Sequence, residues 1–295
     1  MQAAPALYRI DIIFRGKVKM KTFLLLTASI FTMFNTVAWS QTKIEEIEQY
    51  EIRNYDPQKS GLNDLVFEAR IEKLVDILNK TGNFGKLTDV YFKIYWLSPS
   101  QYKIEVLGLP KGFQEVRDDL AALIKGKLEF IIPERFSEKF KGYTLKAAPI
   151  ADGKLIKAID DTYTMAVPEV DITFDKTGRL KTVETNVAYS QVKTEFFQAP
   201  KSWSNNKLVM DKIVTTTKQG TAVATTTNTV EYATFQGMGF PSKVTVKNVT
   251  EAVIPAHGKE KEKKVKSESG SVIRFSNYEV NTGKAQRFMT EGLRR

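Results

Sequence analysis

The chain has 295 residues, 42% of them hydrophobic and 26% charged, which is the make-up of a globular protein whose core needs no disulfide or metal staple. It contains no cysteine and a single histidine, His257, so disulfides, thiolate nucleophiles, iron–sulfur clusters and the usual zinc hydrolase sites are excluded. Its net charge of +10 raises a nucleic-acid reading that the distribution of charge then weakens.

Residues 22–34, TFLLLTASIFTMF, are an uncharged run too short for a comfortable membrane span, which takes about 20 apolar residues. Lys19 and Lys21 precede the run, and Ala38 and Ser40 supply small residues two apart behind it. This is the pattern of a cleavable signal peptide, with cleavage expected after Ser40 and Ala38 as the next site. Met20 begins a complete signal by itself, so residues 1–19 are either an upstream basic extension or a stretch before the true start. No cysteine follows for lipidation. The expected product is exported and periplasmic, with residues 41–61 as a polar lead-in and residues 62–295 as a single domain.

Residues 1–40 carry five basic side chains (Arg9, Arg15, Lys17, Lys19, Lys21) and one acidic one (Asp11), which leaves the rest at +6. The densest basic run, HGKEKEKKVK from His257 to Lys266, is interrupted by Glu260 and Glu262. It reads as a solvated loop, with contact to anionic lipid headgroups as its one functional alternative. No nucleic-acid partner is expected.

Leu62 to Asn79 has helical spacing: Phe67, Ile71, Leu74, Val75 and Leu78 fall on one stripe. Ser60 is placed to start this helix and Lys80-Thr81-Gly82 to stop it. The period then changes. Val90, Phe92, Ile94 and Trp96 alternate with Tyr91, Lys93, Tyr95 and Leu97, and after a turn at Pro99 the residues Tyr102, Ile104 and Val106 alternate again. That is a β-hairpin with one apolar face. A second helix is expected from Gln114 to Lys125, with Val116, Leu120, Leu123 and Ile124 on its face and Gly126 at its end. A short strand, Leu128–Ile132, follows it.

From Tyr143 onward the chain reads as strands. Short ones are expected over 144–148, 155–160 and 163–167. A hairpin runs through the turn Asp175–Gly178, a second through Lys218–Gly220, and a third joins 244–253 to 271–280. There is no βαβ alternation and no glycine-rich phosphate loop. The expected fold class is α+β: a curved antiparallel sheet, a half-barrel, with N-terminal helices covering its concave face.

Tyr232-Ala233-Thr234-Phe235-Gln236-Gly237-Met238-Gly239-Phe240-Pro241-Ser242-Lys243-Val244 resembles a strand–turn–strand signature of the LolA-like family, which sorts outer-membrane lipoproteins. Ile273-Arg274-Phe275-Ser276-Asn277-Tyr278-Glu279-Val280-Asn281, followed by Phe288, resembles that family's last strand and tail. The resemblance implies a half-barrel that holds lipid or lipoprotein acyl chains under a helical lid. Apart from the resemblance, Met238 and Phe240 in the glycine-rich turn read either as turn packing or as a point of transient contact with a membrane or a partner.

The side-chain chemistry suits such a carrier. At about 0.8 kcal/mol per CH₂, one chain of about 14 carbons contributes on the order of 10 kcal/mol on burial, so no catalytic residue, metal or cofactor is called for. Val90, Phe92, Ile94, Trp96, Ile104 and Val106 are the candidate cavity wall, and Phe67, Ile71, Leu74 and Leu78 the candidate lid helix. The same residues also fit an ordinary core. Trp203 reads either as a guard at a cavity mouth or as a surface loop residue. Asp160 and Asp161 are strand neighbours on opposite faces and so are not a natural acid–base couple; Glu169 and Asp171 share a face but read as ordinary exposed hairpin acids; and a triad would rest on His257 in its charged loop. The threonine-rich stretch Thr215–Thr229 keeps a second class open: an envelope scaffold that uses exposed β edges and no small ligand.

Overall fold

A computed structural model describes residues 40–41, 44–82, 85–187, 189–254 and 263–292. The expected export segment lies outside these residues apart from Ser40, as does the loop around His257. No helix among the described residues is long and apolar enough to cross a membrane.

Among the described residues thirteen strands form one antiparallel sheet that is curved and open. The chain enters as β1 (Ser40–Gln41), then helix α1 (Glu45–Arg53), β2 (Asp64–Ile71), α2 (Leu74–Thr81), β3 (Tyr91–Leu97) and β4 (Gln101–Leu107). Helices α3 (Gln114–Lys125) and α4 (Phe136–Lys139) follow. A meander completes the sheet: β5 (Thr144–Ile150), β6 (Gly153–Ile159), β7 (Glu169–Asp175), β8 (Leu180–Val187), β9 (Ser190–Pro200), β10 (Leu208–Gln219), β11 (Ala222–Phe235), β12 (Met238–Ile254) and β13 (Lys263–Val280). Helix α5 (Lys284–Gly292) ends it. In space β13 pairs with β2, and the order runs β1-β5-β6-β7-β8-β9-β10-β11-β12-β13-β2-β3-β4. β4 and β5 therefore sit near opposite edges, and the connection between them, residues 108–143, has to travel the width of the sheet.

Turn chemistry sets the register. Asp175 Oδ1 accepts the N–H groups of Thr177 and Arg179 at 2.8 and 3.0 Å and so closes the β7–β8 turn. Gln236 and Gly237 both have positive φ, 51° and 79°, as a two-residue hairpin with the twist of its strands requires. Gln236-Gly237 is this turn, between β11 and β12.

The expected helix over Leu62–Asn79 is corrected. Residues 64–71 form β2, which pairs with β13 and β3 (Phe67 opposite Ile94, Ala69 opposite Phe92), and only 74–81 are helical. The cause is burial on both faces. Leu65, Phe67 and Ala69 face the large core, while Val66 faces a small one under α5, where Phe288 stacks on Tyr95 at 3.9 Å. A strand buried on both sides reads as an unbroken apolar run, and such a run also fills a helical stripe. Phe67 and Ile71 are thus strand residues, and only Leu74 and Leu78 lie on a helix. The strand expected over 128–132 is a single 3-10 turn (Leu128–Phe130), and 163–167 is a loop. Asp160 organises that loop by accepting from Thr162 and Met165. Helix α3 and Gly126 fall where the spacing puts them, but Leu123 is exposed and Ile124 is the buried residue of that face.

Besides the small core under α5, two hydrophobic cores form along the sheet among the described residues. The larger joins β2, β3, β11, β12 and β13 with Ile124, Phe130 and Ile131 of the connection. The smaller joins β5 to β8 with Ile47 and Tyr50 of α1 and Phe140 after α4. Between the two, the middle of the sheet is not filled.

Candidate functional site

A cavity of about 340 Å³ occupies that middle. Its sheet side is Val183 of β8, Thr194, Phe196 and Gln198 of β9, Met210, Ile213 and Thr215 of β10, and Asn228 and Tyr232 of β11. Its other side is the connection, through Glu129 to Ile131 and Pro133 to Phe136, and the stretch that leaves α1, Tyr50 to Pro57. The volume lies at the lower end of the roughly 300–1,000 Å³ typical of ligand pockets. Aromatic and aliphatic side chains interleave with neutral polar ones, and the charged residues come from the connection and the α1 stretch.

Local contacts hold the connection down at one place. Glu51 of α1 accepts the Ser137 N–H at 2.8 Å and the Ser137 hydroxyl at 3.0 Å, which caps the short helix α4. Phe136 packs edge-on to Tyr50 at 5.7 Å and to Phe196 at 6.4 Å. Arg135 lies 4.0 Å from Asp56. At the other end Lys127 donates to the buried Asn228 Oδ1 at 3.0 Å. Burial lowers the Lys127 ammonium below the ordinary lysine range.

The buried tyrosines of the wall stay neutral. Burial pushes the Tyr50 hydroxyl up to about 12, against donors such as the Gln198 amide that act the other way. Gln198 Nε2 donates to it at 2.6 Å. Asn54 and Gln198 each keep a buried carbonyl oxygen without a hydrogen-bond partner, a local cost of about 1–3 kcal/mol apiece. Tyr232 is raised by burial, and its hydroxyl donates to the Met210 carbonyl at 2.8 Å.

The stretch 232–244 backs this region. Gly239 leaves room for the Trp203 ring, whose nearest atom would stand 2.1 Å from an added Cβ. Trp203 packs against Tyr55 and Tyr232, and the Tyr55 hydroxyl accepts the Gly239 N–H at 2.9 Å. Trp203 therefore supports the aromatic wall from a half-buried position. Phe240 is fully buried and stacks on Tyr278 at 4.9 Å.

The residues singled out from the sequence lie elsewhere. Val90, Phe92, Ile94, Trp96 and Val106 are buried in the larger core with Ile104 packed against it, and none of the six lines the cavity. Leu74 and Leu78 are buried in the same core, as is Phe67, with Ile71 at its edge. The candidate wall and lid residues meet one another, but as solid packing. The lining was missed because it is assembled from four strands and a connection, and its threonines and asparagine carry no apolar period. Asp160 is buried and spent on its loop, and Glu169 and Asp171 share Lys157. No group of three potential metal ligands occurs among the described residues.

Beyond the cavity the sheet sorts its charge by face. The face that carries Ile213 and Asn228 continues through Thr215, Thr217, Ala224, Thr226, Asn248, Thr250, Ser267 and Ser269 without a charged side chain. The opposite face carries ion pairs, among them Lys193–Glu195 at 3.5 Å and Lys247–Glu268 at 3.4 Å.

Comparison with protein-family models, with curated proteins and with solved structures finds no match to this chain.

Proposed function

We propose that this protein is a periplasmic carrier or binding protein for lipid or lipoprotein acyl chains, that it works without catalysis, and that helices and the 108–143 connection act as a lid on the concave face of a half-barrel. The observation that carries this is the 340 Å³ space between two solid cores, walled by Phe130, Phe136, Phe196, Met210 and Ile213. A sheet whose two ends are packed dry while its middle stays open under a crossing segment has the form of a container. Apolar transfer supplies the affinity, and the neutral polar side chains on the sheet side of the wall tolerate the ester or amide end of an acyl group. The organic extract of the protein purified from cell envelopes, read by mass spectrometry, is expected to contain acyl lipid in near-stoichiometric amount. An extract free of acyl lipid, together with failure to take up a fatty-acyl probe, would contradict the proposal.

A second reading, a scaffold that adds a partner's strand at an open edge, rests on one observation: β2 pairs with β13 only from Ile273 to Val280, so that among the described residues no strand pairs with Lys263–Ser271 on that side. Lys263, Lys264 and Lys266 stud that edge, and edge lysines oppose strand addition. The carrier is favoured for that reason.

A further inference from the structure

One end of the sheet, from β7 across to β13, carries lysines and exposed tyrosines. Asn186, Gln191, Lys218, Val223, Glu251 and Lys266 fall in one cross-strand row, so the β8–β9, β10–β11 and β12–β13 hairpins all turn at the same end of the sheet. The loop 160–168 leaves from that end too, since Val170 pairs with Thr185. Tyr189, in the first of those turns, and Tyr163, in that loop, are each 87% exposed.

Lys218, Lys263, Lys264 and Lys266 stand in or beyond the row. The acids there are Glu251 and Glu268, which lie 3.6 and 3.1 Å from Lys266, Glu169 and Glu184, which pair with Lys157 and Lys193, and Asp161 in the loop. Asp160 is buried and hydrogen-bonded within the loop. Among the described residues Lys218, Lys263 and Lys264 have no ion-pair partner. Edge protection accounts for lysines on β13 but not for Lys218, which lies on an interior strand, nor for two solvent-facing tyrosines.

We infer that this end of the sheet docks on an anionic lipid surface. Exposed tyrosines present an apolar ring with a polar tip, which suits the headgroup level of a bilayer, and each lysine near an anionic surface contributes on the order of 1 kcal/mol. The lysine-rich run from His257 to Lys266 ends in this patch, through Lys263, Lys264 and Lys266. The inference stands apart from the cavity, whose lining shares none of these residues.

Co-sedimentation with vesicles tests it. The protein is expected to bind phosphatidylglycerol-containing vesicles, to bind pure phosphatidylcholine vesicles weakly, and to be released by high salt. Lys218→Glu combined with Lys264→Glu is expected to weaken binding by about tenfold or more. Tyr163→Ser combined with Tyr189→Ser should weaken it by a smaller factor. The salt and lipid dependence of the unaltered protein needs no variant to fold. Absence of binding, equal binding to both vesicle types, or binding undiminished in the lysine variant would overturn the inference.

Discussion

The two stretches of sheet beneath the crossing connection are built from the same kinds of side chain and pack differently. On the α3 side, β2 and β3 share one buried cluster with Ile124, and Phe92 and Ile94 are fully buried. Under residues 129–136 the strands β9 to β11 meet the connection across a hollow. The difference comes from residue size and branching. β3 offers Phe92, Ile94 and Trp96 in one row, whereas the middle strands alternate Ile213 with Thr215 and Tyr232 with Asn228, and the small polar residues leave space. An apolar period marks where a protein is full, and interruptions of that period mark where it holds something else.

Truncation is the strongest way to break this comparison. Phe92→Ala is expected to cost about 3–5 kcal/mol by denaturant unfolding, because it opens a void in dense packing. Ile213→Ala, beside a space that already exists, is expected to cost less than half as much. Equal losses would mean that the hollow is packed as tightly as the core.

Next in size is the capping of α4. Glu51→Ala removes both acceptors for Ser137 and is expected to cost about 1 kcal/mol and to speed release of a bound acyl probe in stopped-flow exchange. Unchanged exchange would place the opening elsewhere.

Asp160 gives a pH-dependent test. The Met165 N–H and the Thr162 hydroxyl hold its carboxyl below the usual value of 3.8. A depressed carboxyl contributes stability above its unfolded value and loses it as pH falls through the folded one. Asp160→Asn is therefore expected to be less stable than the unaltered chain at neutral pH, and the gap should close in acid. A gap independent of pH would mean that the charge does not matter.

The smallest effect is expected on the charged face. Lys193→Ala removes exposed pairs with Glu184 and Glu195 and should change stability by about 0–1 kcal/mol.

Much of the fold was legible in the sequence, because hairpin turns are local. Asp175–Gly178, Lys218–Gly220 and helix α3 all follow from neighbours in the chain. β2 was not legible, since its identity depends on β13, some two hundred residues away. When both faces of a strand are buried, local periodicity no longer separates strand from helix. The site was less legible still. Tyr50, Phe136, Phe196 and Asn228 meet only because residues 108–143 cross from one edge of the sheet to the other. The wall and lid residues chosen for their apolarity, Val90 to Val106 and Phe67 to Leu78, instead mark the solid core.

The hollow itself is tested most directly by equilibrium titration of the unaltered chain and of Thr215→Phe with a fluorescent fatty-acyl probe, each checked for folding by its thermal transition. Thr215 is half-buried and faces the space, so a phenyl ring there should fill it while the cores stay intact. Saturable binding of about one probe per unaltered chain, lost in the folded Thr215→Phe variant, is the expected result. Equal binding by both chains, or by neither, would contradict a ligand held between the connection and the middle strands.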